Sequence, residues 1–126
     1  MRYSSVLLAA VAALFATTPA FAHPRLVSAT PRANAVVTAP TTLKLIFSER
    51  LVPQFSGADL VMTAMPGMKM GKPMTIAGLT SSVSRDGRSV DIRLAKPLSR
   101  GSYRLTYHVV STDTHRVAGG YAFNVK

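Results

Sequence analysis

The sequence predicts an all-β domain, an antiparallel sandwich or small Greek-key barrel with no helix in the mature chain. Three observations predict it. Apolar and polar residues alternate at period two along several short runs, turn residues punctuate those runs, and no segment past the first 22 residues sustains a 3.6-residue period. About seven short strands in roughly a hundred residues is the density of such folds, the immunoglobulin-like sandwich among them.

The elements follow in order. Arg25 to Thr30 reads as a first strand. Thr42 to Phe47 turns Leu43, Leu45 and Phe47 inward and Lys44 outward, and Ala58 to Met62 forms a third strand. Leu79 to Val83 and Ser89 to Leu94 flank a turn at Asp86-Gly87, with Val90, Ile92 and Leu94 on one face. Tyr103 to Val110 follows Gly101 and alternates Leu105, Tyr107 and Val109; Gly119 to Val125 closes the chain with Tyr121, Phe123 and Val125 on one face. There are no internal repeats, linkers or low-complexity tracts.

The first 22 residues belong to a different category. Arg2 precedes an apolar run from Val6 to Ala16, then the small-residue pattern Ala20-Phe21-Ala22, which together make a secretory signal peptide. Eleven apolar residues are too few for a membrane anchor, which needs about 20. Cleavage after Ala22 leaves residues 23–126 as one exported domain, expected in a bacterial periplasm. That compartment is oxidising, yet the chain has no cysteine, so disulfides hold nothing together.

Without Arg2, fourteen Lys and Arg stand against five Asp and Glu. The basic residues are scattered and not interleaved with aromatics, which argues against a nucleic-acid reader and for a solvated surface.

All five remaining methionines lie within thirteen residues: Met62, Met65, Met68, Met70 and Met74, in VMTAMPGMKMGKPM. Methionine also fills cores and adaptable protein-binding surfaces. Here Pro66, Gly67, Gly71 and Pro73 interrupt the run, so it reads as a loop. Thioethers are soft neutral ligands suited to Cu(I), and a cysteine-free exported chain has no thiolate to offer instead. A protein of this charge repels free Cu²⁺, so capture depends on local ligands.

Cleavage after Ala22 makes His23 the first residue, presenting a free amine and an imidazole that chelate one ion together. Pro24 has no backbone N–H to deprotonate, so chelation stops at those two groups. Nitrogen and hard oxygen suit Cu(II). Asp113-Thr114-His115 supplies both: in extended backbone residues i and i+2 project to one side, so Asp113 and His115 face one ion, or Asp113 orients an imidazole from behind.

Three longer stretches carry a resemblance: HPRLVSATPRANA, FSERLVPQFSGADLVMTAMPGM and YHVVSTDTHRVAGGYAFNVK. In this order they resemble the CopC family of periplasmic copper-binding proteins over nearly the whole mature length. The resemblance implies a seven-stranded Greek-key β-barrel with a Cu(II) site at His23, Asp113 and His115, with Glu49 as an acidic residue close to the metal. It also implies Cu(I) on the methionine loop at Met62, Met65, Met68 and Met74. Partners implied are an inner-membrane permease of the CopD type and a multicopper oxidase of the CopA type.

The chain departs from the family pattern in two places. Met70 follows Met68-Lys69 where a histidine is frequent, which predicts an all-thioether site in which Met70 replaces the imidazole; and Tyr107-His108 stands where Trp-Arg is common. His108 reads as a solvated strand residue. The expectation is a copper carrier and not an enzyme. Two alternatives stand beside it: a histidine-brace copper monooxygenase, disfavoured by the short domain and the absence of tryptophan, and a β-sandwich module that grips a partner without metal.

Overall fold

In the computed structural model, which describes residues 23–126, the period-two runs become the strands of two facing sheets. The signal peptide and cleavage site expected in residues 1–22 lie outside the described residues. One sheet holds β1 (Leu26–Thr30), β3 (Thr42–Phe47), β7 (Ser89–Leu94) and β6 (Leu79–Val83), in that order. The other holds β2 (Val36–Val37), β9 (Arg116–Val125), β8 (Gly101–Val110), β4 (Gly57–Met65) and β5 (Met68–Thr75). Pairing is antiparallel apart from β2, which lies parallel to β9.

The alternation decides what fills the space between the sheets. Leu43, Leu45 and Phe47 of β3 and Val90, Ile92 and Leu94 of β7 face Leu60 and Met62 of β4, Tyr103, Leu105 and Val109 of β8, and Tyr121, Phe123 and Val125 of β9. Burying such side chains is the dominant favourable term of folding, about 1.5–3 kcal/mol for each large one. The two buried tyrosines carry a hydroxyl that needs a partner. Tyr103 donates to the carbonyl of Ser99 and Tyr121 to that of Pro31, each at 2.7 Å. Gly119 has no Cβ because the Tyr107 ring occupies that space, where it meets Phe47 edge-on at a centroid distance of 5.2 Å.

All seven expected strands are present, and the structure adds to them. β2 has only two residues, too short for an alternation to show. The larger correction concerns the methionine segment, which is not a loop but the β4–β5 hairpin. Pro and Gly exclude a central strand, but β5 lies at the sheet edge, where proline's missing donor faces no ladder partner. Pro66 and Gly67, the latter at φ 71°, make the reversal, as proline then glycine do in a type II turn. The described residues contain one short 3-10 turn, Pro53–Phe55, and no α-helix.

The topology sends two groups of side chains to opposite ends. The segment after β3, the turn after β8 and the β6–β7 turn meet at one end: Leu51 pairs with Ser111, and the amide of Leu51 donates to Gly87 at 2.7 Å. β4 starts near that end, with Gly57 opposite His108, and carries its hairpin tip to the other. Nine residues of strand separate the ends by roughly 25 Å.

Candidate metal centre

Three chain segments assemble the histidine end. Pro24 is fully buried, and Arg25 is tied to Ser48 twice: its amide donates to Ser48 Oγ and its carbonyl accepts from the Ser48 amide, both at 2.9 Å. This anchors the residue before β1 and leaves His23 exposed beside His115, with ring centroids 4.5 Å apart in an edge-to-face arrangement. The second segment carries Glu49, half-buried, between Ser48 and Arg50. The amide of Thr112 donates to the Arg50 carbonyl at 2.9 Å, so Glu49 sits between backbone bonds to the other two segments.

The third segment is Asp113-Thr114-His115, and it is not extended. Thr114 adopts φ 74°, in the left-handed region, and the Thr114 amide donates to the Ser111 carbonyl at 2.8 Å. This tight turn, and not strand alternation, brings Asp113 and His115 together: Asp113 Oδ2 lies 3.1 Å from His115 Nδ1. The other carboxylate oxygen accepts from Ser111 Oγ. That hydrogen bond is the main reason the Asp113 carboxyl is held below its ordinary value, with the desolvation opposing it outweighed and His115 adding to the lowering. Nitrogen and oxygen donors thus converge from distant parts of the sequence. Among the described residues, however, no three His, Cys, Asp or Glu side chains are drawn together as a metal-holding group; the contacts are pairwise, His23 with His115 and His115 with Asp113.

At the far end the methionines divide by depth. Met62 is 3% exposed and belongs to the core, and Met70 packs against it half-buried, whereas Met65, Met68 and Met74 are 42%, 61% and 45% exposed. Met65 stands opposite Met68 across the turn, and Met62 opposite Met74. Between these pairs the register slips: Met62 faces Tyr103, but Ala64 faces Ser102. Thr63 is the extra residue, and its hydroxyl donates to the Ser102 carbonyl at 3.3 Å. A one-residue bulge reverses the alternation, so Met62 and Met65, three apart, fall on one face and not on opposite ones. Four residues of β5, Met70 to Pro73, stand opposite Thr63 and give the edge strand the slack to turn Met70 toward the core.

The model of the CopC domain matches residues 26–126, all but the first three of the described residues. The chain belongs to the CopC domain family. A CopC-family relative, copper resistance protein C of Xanthomonas campestris pv. juglandis, is 52% identical over 116 residues, covering 92% of this chain and 90% of its own. The crystal structure of PcoC, a methionine-rich copper resistance protein from Escherichia coli, superposes with a TM-score of 0.75 at 42% identity, covering 83% of this chain and 100% of PcoC. CopC from Methylosinus trichosporium gives a TM-score of 0.67 at 28% identity over 82% of this chain and 94% of that one. The β-sandwich described above is therefore the CopC fold.

Within this CopC domain the structure adds residues that sequence reasoning passed over. Ser111 and Ser48 hold the histidine end in place, and Thr63 sets the facing of the hairpin methionines. The repeat of Ser111, Asp113 and His115 at two-residue spacing was visible as a signal; the burial that gives Ser111 its importance was not. His108 is exposed on β8, its imidazole lying over Gly57.

Proposed function

We propose that this chain is a periplasmic copper carrier involved in copper resistance, holding Cu(II) at the histidine end and Cu(I) on the methionine hairpin without turnover. The observation that carries the reading is the contact of His23 with His115, 4.5 Å between centroids, which brings the expected mature terminus onto the Asp113 turn. His23 then contributes its amine and imidazole, His115 its Nε2, and Asp113 either orients His115 or ligates. Glu49 is the nearby acidic group from the neighbouring segment. The relatives' names support copper as the cargo, and the donor types at each end suit the two oxidation states.

On the hairpin the reading assigns Cu(I) to Met62, Met65, Met68, Met70 and Met74. The exposed Met65, Met68 and Met74 meet the ion first, and Met70 and Met62 are the deeper thioethers. Because each end disfavours the other's oxidation state, a redox change weakens binding and favours release to a partner, here a CopD-type permease or CopA-type oxidase. Among the described residues no helix is long and apolar enough to cross a membrane.

Equilibrium dialysis with each ion separately is the test, on exported protein whose first residue is established by mass spectrometry. We expect one Cu(II) and one Cu(I), with Cu(II) affinity falling on acidification because protons compete for the same nitrogen lone pairs. Binding of neither ion, or Cu(II) binding unchanged by one added residue before His23, removes the reading.

A further inference from the structure

Asp113 can only present His115 usefully if something fixes Asp113, and the turn holds such a group. Ser111 is 1% exposed at the end of β8, bridged to Leu51. Its backbone closes the turn in both directions: its amide donates to the His115 carbonyl at 2.9 Å, and its carbonyl accepts from the Thr114 amide at 2.8 Å. The hydroxyl has one proton and two acceptors in reach, Asp113 Oδ1 and the His115 carbonyl at 3.4 Å. The charged acceptor is the stronger. The His115 amide, 3.4 Å from Asp113 Oδ1, adds a weaker second donor on the same oxygen.

The two oxygens of one carboxylate therefore have separate tasks. Oδ1 accepts from a buried hydroxyl, and this restrains the rotation of the carboxylate. Oδ2 is thereby held at 3.1 Å from His115 Nδ1. A carboxylate beside Nδ1 favours the tautomer with its proton there and keeps the Nε2 lone pair for a metal, the arrangement found behind metal-binding histidines. We infer that Ser111 is a positioning residue of the copper site: through Asp113 it aims the His115 imidazole so that Nε2 is presented to Cu(II). The inference rests on the Cu(II) reading proposed above and goes beyond it by assigning a role to a residue that is not itself a ligand of the metal.

The test compares Cu(II) affinity, by chelator competition, and the Cu(II) EPR spectrum in wild type, Ser111→Ala, Asp113→Ala and the double variant. Ser111→Ala is expected to weaken Cu(II) binding about 10- to 100-fold and to shift the EPR parameters, while Cu(I) affinity at the hairpin stays unchanged. In the Asp113→Ala background the same substitution is expected to add nothing, because its effect passes through that carboxylate. An unaltered affinity and spectrum in Ser111→Ala, or an equal loss with and without Asp113, overturns the inference. If Ser111→Ala does not fold, Ser111→Thr and Ser111→Val, alike in shape but not in hydroxyl, replace it; the Thr variant keeps the wild-type spectrum, and identical spectra from the two overturn the inference. Wild-type protein that takes up no Cu(II) rejects the site reading itself, a result distinct from a wild-type site that ignores Ser111.

Discussion

Tyr121 shows how a single side chain couples distant parts of the chain. Its ring fills the core from β9 and its hydroxyl donates to the carbonyl of Pro31, just beyond β1. Burial pushes its pKa up to about 12, with Tyr107 adding to the rise. The folded protein thus holds this proton more tightly than the unfolded chain, whose tyrosines ionise near pH 10. The stability this provides is complete below about pH 10 and is lost as pH rises toward about 12. Urea unfolding at pH 8 and at higher pH should show a falling midpoint, and Tyr121→Phe should make that fall shallower while costing about 1 kcal/mol at pH 8. At this scale His23, Asp113 and His115 were legible because their donor chemistry is rare and specific. Ser111 was not, since a hydroxyl acquires meaning only once it is buried beside a carboxylate.

The β4–β5 hairpin is the element whose reading changed most. Its Pro and Gly content suggested a loop, and the edge position of β5 explains why a strand tolerates them. The bulge at Thr63 then separates two roles that the spacing of methionines does not distinguish. Met62 is core, so Met62→Ala should cost about 2–5 kcal/mol in urea unfolding, while Met62→Leu, close in volume, should cost under about 1.5 kcal/mol and, by removing one of the two deeper thioethers, weaken Cu(I) binding. Met68→Leu, at an exposed position, should weaken Cu(I) binding with stability unchanged. Met70 lies between these cases, half-buried against the core. If Met70→Leu leaves Cu(I) affinity untouched, the thioether in place of the family's frequent histidine is a packing residue.

At the scale of the molecule, the sandwich keeps the two ends roughly 25 Å apart. No single ion can be shared between them, and β4 pairs with β8 from Gly57 to Ala64 with one slip of register at Thr63. Loading the histidine end with Cu(II) should therefore leave the Cu(I) affinity of the hairpin unchanged within about twofold, since coupling requires a two-state element that both sites bias. Calorimetric titration of Cu(I) into apo and Cu(II)-loaded protein checks this, and a larger change would reveal such an element. The sequence by itself determined the β class, seven of the nine strands among the described residues and the donor types at each end, because period-two alternation and ligand chemistry are local properties of the chain. Only the tertiary structure decided which side chains meet: the edge position that makes a strand of the methionine segment, the bulge that sets its facing, the left-handed Thr114 that turns Asp113 onto His115, and the buried Ser111 beneath them. Each of these depends on contacts between segments far apart in sequence, where strand pairing and burial, not local pattern, fix the geometry.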